Sequence, residues 1–298
     1  MALCGAKGNT AKQICDALFG GLPDAEIHAH FKGLTEFLEK SDQFYKLSSA
    51  DRIFAPRGYE PKQEFVESLF EYYRSIYTTR DFSKNAGWLN EFNPRLTNDL
   101  KFYSAPDKEV KVPLMTMSDE YHFYAEDEQC KVLGLPYTAY TGNLAMFAFL
   151  PKERFGLTSL EKSLTGERLL KLIDDAMARH DKVDVVFPKF KMENSFELSE
   201  ALAGLGVIDL FKPEVADLTG ISENKDLYGC GFSVLHKAFV EVNEEGSEAA
   251  VATGVSCLYY GIDETQLSFR ADHPFLFAIY ESESKTILFL GRCVEPYR

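Results

Sequence analysis

The stretch Val234–Val255, VLHKAFVEVNEEGSEAAVATGV, divides sharply at Asn243. VLHKAFVEVN is rich in apolar and β-branched residues and reads as a strand. EEGSEAAVATGV then joins two acids and a glycine to Ser, Ala, Val and Thr, with almost no bulk. That segment is too small to fill a core and too apolar for an ordinary solvated loop. Laid out as a second strand, it sends Ser247, Ala249, Val251 and Thr253 to one face and Glu248, Ala250, Ala252 and Gly254 to the other. The first set is small enough to slide beneath a packed sheet, while Glu248 stays in water. No proline interrupts the run, so each residue can supply a ladder N–H. Taken alone, the alanines suit a helix fragment or a passive loop equally well.

Upstream, residues 10–19 and 24–40 read as helices, the second with Ile27, Phe31, Leu34 and Leu38 on one stripe. A third helix is expected over 61–79, where Pro61 suits the first turn. From residue 110 the pattern turns to strands: VKVPLMTM, EYHFYAED, CKVLGLPY and LAMFAFLP. A helix over 165–178, a strand over 182–191 and a short helix over 196–204 follow. Downstream of the opening stretch, FRADHPFLFAIYES and KTILFLGRCVEP are again strand-like. Helices come first and strands dominate later, without βαβ alternation. The expected class is α+β with largely antiparallel sheets, in one compact domain over 1–298.

The chain has 298 residues with a formal net charge of −14, so phosphate backbones and anionic lipid are poor partners. No apolar run approaches the roughly 20 residues that span a bilayer. The start, MALCGAKGNTAKQIC, lacks the pattern of a signal peptide. Cys4, Cys15, Cys130, Cys230, Cys257 and Cys293 are scattered without a CxxC pair, which fits reduced thiols in the cytoplasm. GxSxG, HExxH, P-loop and GxGxxG motifs are all missing. His28 and His30 form an HxH pair, but on a helix the two side chains diverge by about 200° and rarely hold one ion. Asp174-Asp175 and Glu281-Ser282-Glu283 read as solvated faces. No catalytic residue, metal site or cofactor follows from the sequence, and an enzyme has no residues to stand on.

Several motifs, in order, carry a resemblance. They are GAKGNT (Gly5–Thr10), LPYTAYTGNLAMFAFLP (Leu135–Pro151), FPKFKMENSFELSEALAGLGVIDLF (Phe187–Phe211) and ADLTGIS (Ala216–Ser222). The opening stretch, FRADHPFLFAI (Phe269–Ile279) and ILFLGRCVEP (Ile287–Pro296) complete the set. Over nearly the whole chain the sequence resembles the serpins, the serine-protease-inhibitor family. The resemblance implies a fold of several helices and mostly antiparallel sheets with an exposed reactive loop, here about 244–268. The hinge of that loop would be Glu244, Glu245, Gly246, Ser247, Glu248, Ala249, Ala250, Val251, Ala252 and Thr253.

Family spacing places the attacked bond at Tyr260-Gly261, with Tyr259 as the alternative register. An aromatic residue there suits a monomeric inhibitor of a serine protease with an apolar, chymotrypsin-like primary pocket. The resemblance further matches Lys189 to the partner of Glu244, Trp88 to the indole beneath the opening, and His236 to the histidine under the central gap of the sheet.

Two departures qualify this expectation. The first helix and most of the second have no counterpart. In DFSKNAGWLNEF (Asp81–Phe92), Ala86 runs straight into Gly87, where the family has a long helix and a central strand of the main sheet. The main sheet is therefore expected to be incomplete, which keeps open a non-inhibitory serpin-like binding protein or a cleaved substrate. A leader carried by the missing N-terminal segment would move the protein to the extracellular space.

Overall fold

The computed structural model describes residues 2–40, 61–73, 88–137, 143–222, 233–244 and 267–296. The helices are α1 (Ala2–Gly5), α2 (Gly8–Phe19), α3 (Asp24–Lys40), α4 (Gln63–Tyr73), α5 (Leu157–Ser163), α6 (Gly166–Met177) and α7 (Ser199–Gly204). The first strands are β1 (Asn98–Ala105), β2 (Lys108–Glu126), β3 (Cys130–Pro136), β4 (Leu144–Pro151) and β5 (His180–Pro188). They are followed by β6 (Phe190–Glu197), β7 (Leu235–Val242), β8 (Leu267–Arg270), β9 (Phe275–Glu281) and β10 (Thr286–Cys293). The chain falls into two compact units. One comprises Met1–Lys40, Ser48–Phe82 and Glu193–Phe239, and the other Ser41–Leu47, Ser83–Met192 and Val240–Arg298.

The first unit buries the apolar stripes of its helices. Ile14 of α2, Ile27 of α3, and Phe65 and Leu69 of α4 meet Val207, Leu210, Leu218 and Ile221 in one cluster, with Phe31 packed against it. Helix α2 stops at Gly20, whose φ of 61° is left-handed and whose N–H reaches the Cys15 carbonyl. Among the described residues no helix is long and apolar enough to cross a membrane.

In the second unit the strands run in the order β10-β9-β4-β3-β2-β5-β8, with β1 hydrogen-bonded to β2. Every pairing is antiparallel except β5 with β8. β4 and β9 are buried at every position, which explains why LAMFAFLP and FLFAIYE show no alternation. Leu169, Leu172, Ile173 and Ala176, on one stripe of α6, pack against Phe147, Phe149, Leu276 and Ala278 of that sheet. Gly134 of β3 lets the sheet close over aromatic rings, since a Cβ there would stand 2.6 Å from the Phe147 ring. β6 and β7 form a separate two-stranded sheet. The contacts Lys191–Glu241 and Phe196–His236 run in opposite senses along the two strands, so the pair is antiparallel.

The structure departs from the sequence reading in definite places. The runs VKVPLMTM and EYHFYAED belong to the single strand β2, whose register with β5 shifts between Met117 and Glu120. Asp119 takes a φ of 66° in that bulge, which absorbs the residues that interrupt the apolar pattern. The short helix begins at Ser199 because residues up to Glu197 are claimed by β6. Glu281 does not lie on a solvated face. It is 1% exposed and accepts the backbone N–H groups of Glu283 and Ser284 at 2.8 and 2.7 Å, closing the β9–β10 turn.

His122 of β2 stands opposite Asp181 of β5, is 1% exposed, and has no hydrogen-bond partner for either ring nitrogen. Burial, aided by the nearby His180, pushes its pKa down to about 4. The folded state therefore holds the ring neutral where an unfolded histidine takes up a proton near pH ~6.5. Stability should fall as pH drops from about 6.5 towards 4, because the unfolded chain binds the extra proton. His122→Leu is expected to flatten that acid limb in urea unfolding curves. At neutral pH the same change should stabilise the chain by about 1 kcal/mol, since it removes an unsatisfied buried polar group. A decrease in stability at neutral pH would count against this account of His122.

Candidate functional site

The site lies just past the end of β7. Glu244 follows β7 and is 8% exposed. Its carboxylate is gripped from two sides: the Lys189 Nζ stands 2.7 Å from Oε2, and the Thr97 hydroxyl donates to Oε1 at 2.8 Å. The Glu244 backbone carbonyl accepts the Phe92 N–H at 2.9 Å. Burial alone would raise the Glu244 pKa, but the bonds from Lys189 and Thr97 outweigh it and hold the carboxyl below its usual value.

Local sequence explains how each partner arrives. Lys189 occupies the single-residue step between Pro188, which ends β5, and Phe190, which opens β6. Its N–H is tied to the Pro113 carbonyl at 3.0 Å, so the side chain departs from a fixed corner. Thr97 follows the 3-10 turn Pro94–Leu96, which Asn93 caps by accepting the Arg95 N–H. Trp88 donates its indole N–H to the Asn243 carbonyl at 2.9 Å and stacks on Tyr137 with ring centroids 4.6 Å apart. The indole is 1% exposed, and the Leu89 N–H to Pro136 carbonyl bond (2.8 Å) fixes the chain beside it.

The structure thus brings together three of the residues singled out in the sequence: Glu244, Lys189 and Trp88. His236 is not among them. It lies eight residues before Glu244, exposed, with its ring stacked on Phe196 at 6.4 Å. Tyr260, Gly261 and the hinge residues Glu245, Gly246, Ser247, Glu248, Ala249, Ala250, Val251, Ala252 and Thr253 lie outside the described residues.

Thr97, Phe92 and Tyr137 escaped sequence reasoning. Asn93-Pro94 signals a turn, but nothing local says that the residue after the turn faces an acid almost 150 positions away. His28 bonds Tyr73 through Nδ1 at 2.9 Å and stands 3.8 Å from the Cys4 sulfur, while His30 packs on Phe31. Among the described residues no group of three or more His, Cys, Asp or Glu side chains could hold a metal ion.

Comparison with known proteins returns one consistent result. The family model described as Serpin (serine protease inhibitor) matches residues 1–87 and 85–296, in two blocks that meet at the Ala86–Gly87 junction. Human serpin B3 is 31% identical, with 99% of this chain and 90% of the relative covered. The leukocyte elastase inhibitor of Xenopus tropicalis is 33% identical, over 99% of this chain and 89% of the relative. The alignment with serpin B3 runs over 356 positions, more than the 298 residues present here, so the relative carries segments that this chain lacks. Among solved structures, Serpin48 of the insect Tenebrio molitor is 25% identical with a TM-score of 0.77, over 99% of this chain and 87% of that one. Human thyroxine-binding globulin in complex with its hormone shares the fold at 22% identity and a TM-score of 0.82, covering 100% of this chain and 88% of that one.

Because Lys189 and Glu244 are both largely shielded from solvent, removing either leaves the other without its counter-charge. Lys189→Met and Glu244→Gln should each destabilise the chain by about 1–3 kcal/mol. The double variant should cost clearly less than the two together, as a double-mutant cycle in urea would read. The pair's contribution is present above the ordinary carboxylate range and is lost as pH falls through the depressed Glu244 value. Strictly additive losses would show that the two side chains do not act as a pair.

Proposed function

Because the chain belongs to the serpin family, we propose that it inhibits a serine protease by offering Tyr260-Gly261 as bait. The observation that carries this reading is the double grip on Glu244, the residue at which the strand β7 gives way to the hinge. A loop held shut at its first residue is positioned to stay outside the sheet until it is cut. The protease attacks the bait bond and forms an acyl-enzyme, after which the freed hinge enters the sheet as a new strand. The attached protease is carried along, and its active site is distorted before deacylation. The native state is then held by a kinetic barrier, not by being the lowest state. The small residues of the hinge, read as a strand, suit such an entry.

Tyr260 favours a protease with a deep apolar primary pocket. The protein is read as a monomer, one serpin-like domain with no nucleic-acid or membrane partner. The scattered cysteines support a cytoplasmic setting, with the extracellular space as the alternative. A second reading is a non-inhibitory binding protein or plain substrate, and a separate observation favours it. The family match is split into two blocks that overlap at 85–87, where the resemblance implies that the family's long helix and central strand are missing.

Mixing the chain with chymotrypsin and running a denaturing gel separates the two. Inhibition should give a covalent band at the summed mass, and Tyr260→Ala should abolish it or move the cut. Cleavage of the loop with full protease activity remaining would sink the inhibitor reading in favour of the second. The emission of Trp88, the chain's single tryptophan, should shift on cleavage if the hinge leaves its place beside Asn243.

A further inference from the structure

The corner between β8 and β9, Arg270-Ala271-Asp272-His273, is where the chain returns to the sheet after the bait loop. β8 itself is short, pairing with β5 over four residues from Leu267 to Arg270. The corner adds the bonds that hold it. Ala271 donates to the Val186 carbonyl and Tyr103 donates to the Asp272 carbonyl, each at 2.8 Å. Lys131 donates to the Ser268 carbonyl at 2.8 Å. Asp272 and His273 are 8% and 7% exposed.

The imidazole of His273 faces an acceptor at both nitrogens. Nδ1 lies 2.9 Å from the Asp272 carboxylate, and Nε2 lies 2.9 Å from the Pro151 carbonyl oxygen. A carbonyl has no proton to give, and an ionised carboxylate has none either. Asp272 is held ionised: burial would raise its pKa, but bonds from His273 and Arg270 outweigh that and keep it below the usual range. A neutral ring has one N–H, so one of its two contacts would set lone pair against lone pair inside the protein. A ring with two protons satisfies both. Arg270 donates its Nε–H to the other Asp272 oxygen at 3.0 Å, which places the carboxylate between two cations.

We propose that His273, carrying two protons, is a positioning residue for the far anchor of the bait loop. It ties Asp272 to the Pro151 carbonyl, and this clamp loosens as rising pH removes the second proton. The consequence for inhibition rests on the bait-loop reading, whereas the clamp itself does not. The charged groups around the corner are Asp272 and Arg270, Arg154 over the Tyr103 ring at 4.1 Å, and Lys152, next to Pro151 and paired with Glu126 at 3.2 Å. The sign follows from the bonds. The clamp is strongest on the weakly acid side, where Asp272 is ionised and the ring doubly protonated, and it fades as the medium becomes alkaline.

The test uses the full chain between about pH 5.5 and about pH 8.5. Ring-nitrogen NMR spectra, assigned with His273→Gln, should show both His273 nitrogens protonated near the lower limit. A single protonated nitrogen there overturns the proposal. Backbone hydrogen exchange of residues 267–273, normalised for the intrinsic rate, should speed up about tenfold across the range. His273→Arg, which keeps a permanent cation with several donors, should make that exchange independent of pH. His273→Lys serves the same purpose should the arginine not fit. Equal pH dependence in the wild-type chain and the cationic variant, or none in the wild-type chain, also overturns it. Chymotrypsin provides the separate arm. If exchange behaves as expected but no cut occurs near Tyr260, the clamp is upheld and the bait-bond reading alone falls.

Discussion

The grip on Glu244 pins the chain just past the end of β7. At 2.7 Å the attraction between Lys189 and Glu244 is about 6 kcal/mol at an effective dielectric of about 20. Removing both charges from water offsets most of that, at several kcal/mol for each ion fully withdrawn. The net contribution to stability is therefore modest, and its importance is positional. Thr97 satisfies the second carboxylate oxygen, and Phe92 satisfies the backbone carbonyl of the same residue. A glutamate with its side chain and main chain both committed cannot slide along the ladder by one step. Under the proposed mechanism that matters, because a slip of one residue would turn over a hinge entering as a strand, exchanging the Ser247–Thr253 face for the Glu248–Gly254 face.

Much of this architecture is legible in the sequence because it follows from periodicity. The runs LAMFAFLP and FRADHPFLFAIYES read as strands, and they contain β4 and β9, each flanked by a strand on both sides in the large sheet. The helix read over 165–178 likewise becomes α6 over that core. What escaped has a common cause. β1, with NDLKFYSA, is buried at Phe102 and otherwise at most partly shielded, so its pattern is too weak to read as a strand. α5 is seven residues long, too short for a helical period to show. Glu281 carries the residue type of a surface and the burial of a core, because its turn supplies two N–H groups that only the folded chain brings to it. Of the site, Glu244, Lys189 and Trp88 came from motif order, whereas Thr97 and Tyr137 depend on partners far away in sequence.

The Ala86–Gly87 junction bears on function more than on the local fold. Just past it the chain is tied to its neighbours: Trp88 bridges Tyr137, stacks on it, and bonds Asn243. The grip on Glu244 therefore stands without the helix and strand that the resemblance implies are missing. The proposed insertion of the hinge would need them. A strand entering the middle of a sheet gains two rows of hydrogen bonds, one from each neighbour, and the strand implied missing would have supplied one of them. Each buried N–H or C=O left without a partner costs about 1–3 kcal/mol. Over a hinge of several residues, such penalties would offset a large part of the gain in the proposed insertion. Under that mechanism inhibition is a race between insertion and deacylation, and a smaller driving force would slow only the first. The grip on Glu244 can thus be complete while the proposed insertion is weakened, and the two are physically separable properties.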